Sequence, residues 1–287
     1  AGALAGDELA AVRAICQMVE GLPLAIELAA ALTRRDTARA IADGLHSGFG
    51  ALTASMRDRP QRHQNMQIVF EMSWRALAPA LQHLLARLSV FRGGFSAVSA
   101  HEIAGADAEQ LGALCEKSLL AYQPERQRYR LHPVIRAFAT AKRVSNDPTP
   151  ERHAQFFLAL LAAHAEPLQG HRPQDSIGLL EPDIENVRLA WQTGIAQRRA
   201  SWLLDALTAL SIYYQLRGLS REGEAVMHAT ADAATGWNAD GVALATRASV
   251  ERARFQNRLG QHWPAMQSAQ AALKLASTCS DRWAEGM

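Results

Sequence analysis

Histidine and cysteine are the residues of this sequence that could ligate a metal, and their spacing does not predict a metal site. The 287 residues include ten histidines and three cysteines. No two histidines stand four residues apart and no Cys-x-x-Cys pair occurs, so the usual zinc-binding patterns are missing from the sequence. Cys16, Cys115 and Cys279 are far apart and each lies in an apolar helical pattern, which predicts buried reduced thiols rather than disulfides.

Nucleotide hydrolysis and nucleophilic catalysis also lack their motifs in this sequence. A P-loop requires Gly-x-x-x-x-Gly-Lys-[Ser/Thr], because backbone N–H groups and a lysine must surround the phosphates while a hydroxyl reaches Mg²⁺. No such run occurs, nor does an apolar strand that ends in acidic residues. Gly94-Phe95-Ser96 lacks the second glycine of a nucleophile elbow and predicts a turn with a helix cap. We therefore expect this chain to be no enzyme and to hold no cofactor by itself.

Composition and charge predict a soluble protein of two or three domains. The formal net charge is only +2, so no strong overall field draws the chain to nucleic acid or to anionic lipid. No run approaches the ~18 apolar residues of a membrane span. The beginning of the sequence also lacks the basic flank and apolar core of a signal peptide. These features predict a cytoplasmic protein without membrane contact.

The elements that must position any functional residue are predicted to be mostly helices. Almost every segment has the 3.6-residue apolar period of a helix, and strand-like alternation occurs only within residues 119–131. There Gln123-Pro124-Glu125 supplies turn chemistry between two short apolar alternations, which predicts one β-hairpin. Helices followed by one hairpin are the order of a winged helix, so the predicted fold class is mainly α.

Two composition shifts divide the chain into three predicted domains. Residues 57–63 are charged and almost free of apolar side chains, and residues 145–150 are rich in turn formers. We therefore predict a helical domain over residues 1–58, a winged helix over residues 62–145, and an array of helical repeats over residues 150–287.

A weak internal period indicates the type of repeat. Gly218 and Gly260 each follow a helical pattern and stand 42 residues apart, a plausible length for a two-helix repeat. Small residues at Ala265, Ala269 and Ala272 are typical of tetratricopeptide-like helices that pack closely. The alternative is two unrelated helical hairpins. A further helical pattern begins at residue 281 just before the sequence stops, so we expect the array to be truncated.

Four passages, which occur in the same order as the family's motifs, resemble the STAND class of signalling ATPases. The resemblance is closest to the bacterial regulators of that class that have an NB-ARC-like core, a winged helix and tetratricopeptide-type repeats. Gly21-Leu22-Pro23-Leu24 resembles the family's GLPL motif, where Gly21 ends one helix and Pro23 begins the next. Residues 70–77 with 85–95, and residues 114–120, are similar to the helices of its winged helix. The last passage, residues 129–139, resembles the MHD-type motif.

The resemblance implies two nucleotide contacts. In that family a histidine senses the β-phosphate of ADP and the GLPL proline lies against the base, and these roles fall on His132 and Pro23. Pro133 stands where the family has an aspartate, and proline cannot supply the hydrogen bonds or the charge of that side chain. The alternative is that His132 only joins the hairpin to the next helix. ADP or ATP with Mg²⁺ is implied for a full-length protein, held by an upstream nucleotide-binding domain that this chain lacks.

The resemblance further implies a regulatory, signal-sensing segment of a transcription regulator. A protein or a small molecule on the repeats would control nucleotide-dependent switching and homo-oligomerisation, while another domain binds DNA. Aromatic anchors for such a partner are predicted at Trp202, Tyr213, Tyr214 and Trp237, although each could equally be core.

Two other functions remain open at this point. A winged helix can place its third helix in the major groove of DNA. The candidate helix, residues 107–118, has a net charge of −2, which opposes that role, whereas Arg126, Arg128 and Arg130 on the hairpin favour it. The second alternative is a nucleotide-independent adaptor that binds proteins through its helical repeats.

Overall fold

The computed structural model describes residues 6–50 and 61–279, and the chain divides into two compact units, one up to Thr149 and one from Pro150 onward. The chain is mainly α-helical, which confirms the predicted fold class, and its described part contains one two-stranded sheet. No described helix is long and apolar enough to cross a membrane. Most of the predicted boundary at 57–63 and the helical pattern at 281–284 lie outside the described residues. The three predicted domain ranges stay predictions.

Eight described helices and a hairpin form the amino-terminal unit. Three helices begin with proline, which fits because the N–H group that proline lacks has no partner at the start of a helix. The elements are α1 (Gly6–Met18), α2 (Pro23–Leu32), α3 (Ala38–Gly50), α4 (Gln61–Arg75), α5 (Pro79–Leu88), α6 (Ala97–Ala104), α7 (Ala108–Glu116), β1 (Ala121–Gln123), β2 (Arg128–Arg130) and α8 (Pro133–Ala141).

The predicted corner at Gly21-Leu22-Pro23-Leu24 is confirmed. Glu20 and Gly21 both adopt left-handed backbone conformations, with φ of 53° and 68°, and the Gly21 N–H group donates to the Cys16 carbonyl at 3.0 Å. This arrangement ends α1, and Pro23 begins α2 two residues later. The helix α2 then packs against α4, and α3 packs against both α1 and α4.

The predicted hairpin is also present. Strands β1 and β2 pair antiparallel, with Tyr122 opposite Tyr129, and Gln127 takes the left-handed conformation that closes the turn. Phe95 forms a further bridge to Tyr129, with N···O distances of 3.0 and 2.8 Å, and their rings stack. The hairpin is therefore held to the loop before α6, and α8 begins directly after it at Pro133.

The carboxy-terminal unit is described as helices in series. They are α9 (Thr149–Ala163), α10 (Ala165–Gln169), α11 (Pro173–Leu180), α12 (Ile184–Ala196), α13 (Ala200–Leu216), α14 (Ser220–Ala234), α15 (Ala239–Arg258) and α16 (His262–Cys279). Successive helices from α12 to α16 pack on one another, and α13 also packs on α15. Gly218 and Gly260 adopt left-handed conformations at the two predicted helix ends, with φ of 70° and 76°. The 42 residues between these glycines therefore comprise one pair of helices, α14 and α15.

Candidate functional site

His132 lies at the junction between the hairpin and α8, where it caps the helix. Its backbone is extended, as expected before proline, and its side chain is exposed. The Nδ1 atom accepts a hydrogen bond from the Val134 N–H group at 3.2 Å. Because Nδ1 accepts, the proton of the neutral ring lies on Nε2. His132 therefore presents an Nε2–H donor to its surroundings.

Positive charge gathers along α8 behind His132. Arg136 follows one turn later, so it shares a face of the helix with His132. Burial lowers the pKa of the nearby Arg92 guanidinium, and repulsion from Arg136 and Arg143 lowers it further. Arg143 is paired with Asp147 at 3.1 Å. Arg92 is thus close enough to Arg136 and Arg143 to be affected by their charge, and Arg136 places a positive charge one helical turn from His132.

Pro23 occupies the first position of α2 and is exposed. Its position follows from the corner that Gly21 makes, as the sequence predicts. Pro23 and His132 lie on separate helices of the amino-terminal unit, and their joint role towards a nucleotide stays a prediction.

The structure separates the four predicted aromatic anchors into two groups. Tyr213 and Tyr214 are only 2% and 1% exposed, so they lie in the core of the carboxy-terminal unit. Trp202 is half-buried beneath the Arg199 guanidinium, which lies 5.1 Å from its ring. Trp237 is also half-buried and contacts the backbone of α15 near its first turn. A partner protein could therefore reach the two tryptophans but not the tyrosines, although the anchoring role of all four stays a prediction.

A pocket of about 240 Å³ lies between α12, α13 and α14. Its lining is mostly apolar and includes Arg188, Trp191, Leu210, Tyr214, Glu222 and Ala225. Trp191 is 3% exposed, and its indole Nε1–H group donates to the Thr230 hydroxyl at 2.9 Å. This bond holds the ring in one orientation, so the apolar wall is preformed.

Arg188 provides the charge at this pocket. Its guanidinium donates to Glu185 on its own helix at 2.7 Å and to Glu222 on α14 at 2.6 Å. Burial disfavours the charged form, but the neighbouring Tyr214 hydroxyl and the two carboxylates outweigh burial and raise the pKa of Arg188. Arg188 therefore stays charged, and two carboxylates balance it.

These features define which ligands suit the pocket. Apolar walls with a few polar groups at one side are typical of small-molecule sites. Arg188 and its two carboxylate partners, Glu185 and Glu222, together carry a net charge of −1, which disfavours a carboxylate ligand. An aromatic or aliphatic body with a neutral or cationic head group fits best.

Sequence reasoning did not identify Arg188 or Glu222 as site residues. They stand 34 positions apart, and nothing local in the sequence connects them. The available signal was the apolar face of α12 that contains Trp191, which predicts helix packing but not a pocket.

The carboxy-terminal unit also contains a buried polar network. Glu251 is 3% exposed, accepts a hydrogen bond from the Ser211 hydroxyl and pairs with Arg254 at 2.8 Å. This network lies beside a wide groove between α10, α13 and α15. Such a polar groove offers a second surface on the same unit.

The candidate DNA-reading helix is α7, and its exposed charges are acidic. Asp107 caps α7 by accepting from the Gln110 N–H group at 2.7 Å, while Glu109 and Glu116 are exposed. On the hairpin, Arg130 is exposed. The helix that would enter the major groove thus presents negative charge to the phosphates.

Several proteins similar to this chain come from mycobacteria. A protein of Mycobacterium tuberculosis and one of Mycobacterium bovis, both named as candidate HTH-type transcriptional regulators, are each 31% identical to it over 231 residues. These alignments cover 77% of this chain but 26% of each relative, so the chain spans about a quarter of the length of the curated relatives it matches. A second M. tuberculosis protein, whose name assigns no function, is 29% identical over 150 residues, 49% of this chain and 38% of that protein.

A solved structure is similar at a low level. It is the STAND protein with a tetratricopeptide repeat sensor from Pyrococcus horikoshii, which shares 16% sequence identity and has a TM-score of 0.35. The match covers 92% of this chain and 42% of that chain. A TM-score this low does not establish a common fold. No protein-family model matches the chain.

Proposed function

We propose that this chain is the regulatory and signal-sensing segment of a transcription regulator of the STAND class. The observation that carries the regulatory role is the 31% identity to proteins named as HTH-type transcriptional regulators. That similarity covers 77% of the chain, whereas each compact unit makes up about half of it, so it extends over parts of both units. The STAND class rests on the four sequence passages that resemble that class.

The nucleotide switch is the finer part of the proposal. In it, an upstream domain holds ADP, and this chain contributes His132 and Pro23 to the closed state. The residues present fit a phosphate group, because His132 offers an exposed Nε2–H donor and Arg136 follows on the same face of α8. Bound nucleotide would supply the anion that holds the amino-terminal unit against that domain. Signal binding would then shift the population to an open state that oligomerises.

The pocket beside Arg188 is the proposed signal site. It is apolar, its Trp191 wall is held by a hydrogen bond, and it lies between three helices of the carboxy-terminal unit. A ligand there contacts α12, α13 and α14 together, so it can favour one packing of these helices over another. The half-buried Trp202 and Trp237 would provide the contacts for a protein signal.

DNA binding is assigned to another domain of the full-length protein. The negative charge of α7 supports this choice, because affinity for DNA depends on lysine and arginine contacts with phosphate. The name of the mycobacterial relatives includes a helix-turn-helix, and about three quarters of their length lies outside the aligned part. Salt-sensitive binding of duplex DNA by this chain alone would contradict the assignment.

The switch is tested in the full-length protein with two substitutions of His132. His132→Leu removes both the cap and the Nε2–H donor, whereas His132→Asp keeps a capping acceptor for Val134 and has no N–H group to donate to phosphate. We expect both variants to raise basal transcription from a reporter and to lower the amount of ADP that copurifies. His171→Leu, an exposed histidine in the other unit, is the matched control.

The two variants separate a sensor from a structural cap. If His132→Asp behaves as the wild type and only His132→Leu changes transcription, His132 acts through the cap and the nucleotide role is wrong. Unchanged transcription and ADP content in both variants would also contradict the proposal.

A further inference from the structure

A second cavity, of about 230 Å³, lies in the amino-terminal unit at the end of α2, beside α4 and the end of α7. Leu28 and Leu32 contribute an apolar wall, and both are buried. Ser73 of α4 also lines the cavity. The cavity is separate from the His132 junction and from the pocket in the other unit, so the proposed function does not use it.

The Ser73 hydroxyl lacks a hydrogen-bond partner. Ser73 is 5% exposed, and its Oγ atom is buried without a donor or acceptor in reach within the described part of the chain. Serine within a helix commonly donates to the carbonyl four residues earlier, so an unpaired hydroxyl in this position is unusual. Buried polar groups are nearly always satisfied, so an exception such as Ser73 requires an explanation. A ligand atom in the cavity would provide one.

Positive charge surrounds the same cavity. Arg34, Arg35 and Lys117 all line it, together with one acid, Glu116. Within residues 6–50 and 61–279, no ion pair joins any of these four side chains to a partner. Three cations and one carboxylate leave a net charge of +2 around a partly apolar cavity.

The arginines are not needed to cap α2. The last carbonyls of the helix already accept from backbone N–H groups, including Arg34 N–H to Ala31 O at 3.5 Å and Arg35 N–H to Leu32 O at 3.0 Å. The Arg35 guanidinium instead extends across to α4, where Nη1 lies 3.4 Å from the Ala76 carbonyl oxygen. Its other N–H groups have no hydrogen-bond partner among the described residues, so they can bind an anion.

We propose that this cavity binds a small organic acid that has a second hydrogen-bond acceptor along a short apolar chain. The carboxylate lies against Arg35 and Lys117, the chain contacts Leu28 and Leu32, and the second acceptor takes a hydrogen bond from the Ser73 hydroxyl. The volume has room for about seven or eight non-hydrogen atoms, at roughly 30 Å³ for each water-sized group.

The test uses three probes that differ by one group. Levulinate has a carboxylate and a ketone, pentanoate lacks the ketone, and pentanamide lacks the charge. Each is titrated at constant ionic strength into the ¹⁵N-labelled chain, and the dissociation constant is measured from amide shifts near Ser73 and Ala31. We expect levulinate to bind about two- to tenfold more tightly than pentanoate, and pentanoate at least about tenfold more tightly than pentanamide.

Variants then assign each contact. Ser73→Ala should abolish the preference for levulinate over pentanoate while the chain stays folded, because it removes an unpaired buried hydroxyl. Arg35→Gln should weaken both acids about tenfold or more. Arg126→Gln, which changes an exposed arginine on the hairpin, is the matched control and should have no effect.

Two results would overturn the proposal. One is equal affinity for the three probes, or amide shifts that do not saturate with probe concentration and that occur near every exposed arginine. The other is an unchanged preference for levulinate in Ser73→Ala, because the hydroxyl would then have no part in binding.

Discussion

Gly223 allows α14 to approach α15 closely, and its replacement by alanine should destabilise the carboxy-terminal unit. A Cβ atom at position 223 would lie 2.5, 2.6 and 2.8 Å from three ring atoms of Phe255. Carbon atoms prefer separations of about 3.5–4.0 Å, so the ring would have to move by about 1 Å. Phe255 is 0% exposed and its neighbours leave little room for this movement.

The expected magnitude follows from two opposing terms. Overpacking a core costs about 1–3 kcal/mol, whereas alanine in place of glycine inside a helix gains up to about 1 kcal/mol. Gly223→Ala should therefore lower the free energy of unfolding by about 0–2 kcal/mol. Gly178→Ala is the matched control, because Gly178 lies in α11 of the same unit and a Cβ there would meet nothing within 4 Å. That variant should gain about 0.5–1 kcal/mol.

The assay is urea unfolding followed by tryptophan fluorescence in a Trp74→Phe background. Trp74 is the only tryptophan before residue 150, so the remaining tryptophans all lie in the carboxy-terminal unit. Phe255→Leu should cost less in the Gly223→Ala chain than in the wild type, because the smaller side chain relieves the contact. If Gly223→Ala is as stable as Gly178→Ala, the close approach of α14 to α15 does not limit this core and the reasoning is wrong.

Two further predictions concern the pocket and a thiol. In calorimetry, phenethylamine should bind the carboxy-terminal pocket more tightly than 3-phenylpropionate, and equal affinity for the acid would contradict the charge argument. Ala225→Trp should abolish the binding of phenethylamine. Ala229→Trp, which lies one turn further along α14, should preserve it. Burial raises the pKa of the Cys115 thiol above its ordinary value. The neutral thiol therefore stabilises the folded chain at pH values below the ordinary pKa. This contribution is lost as the pH rises through the folded-state pKa. In a chain with the other cysteines replaced by serine, alkylation of Cys115 by iodoacetamide should have its midpoint at a higher pH when the chain is folded than when it is unfolded in urea. An equal or lower midpoint in the folded chain would refute the burial argument.

Local features of the fold were predictable because their causes lie within a few residues. The corner at Gly21 needs a left-handed residue and a proline two positions later, and both requirements are visible in the sequence. The same holds for His132, whose extended backbone follows from Pro133. Its capping bond to Val134 was not predicted, because the orientation of the ring depends on side-chain torsions.

Side-chain environments in the carboxy-terminal unit were less predictable. Apolar periodicity indicated a helix that includes Tyr213 and Tyr214, but two adjacent aromatic residues point in different directions around a helix. Both are buried because α13 has neighbours on several sides, including α12, α14 and α15. The number of neighbours around a helix is a property of the packed array, so the sequence alone could not distinguish a surface anchor from a core residue.

The sequence by itself determined the class of elements, the corner at Gly21, the hairpin and the junction at His132, because backbone preferences and short turns depend on adjacent residues. Only the tertiary structure decided where the cavities lie and which charges meet there. Arg188 and Glu222 are 34 residues apart, and one cavity is lined by Ser73 of α4, by Arg35 just after α2 and by Lys117 just after α7. Such sites arise where helices distant in sequence pack together, and the local pattern of any one helix does not contain that information.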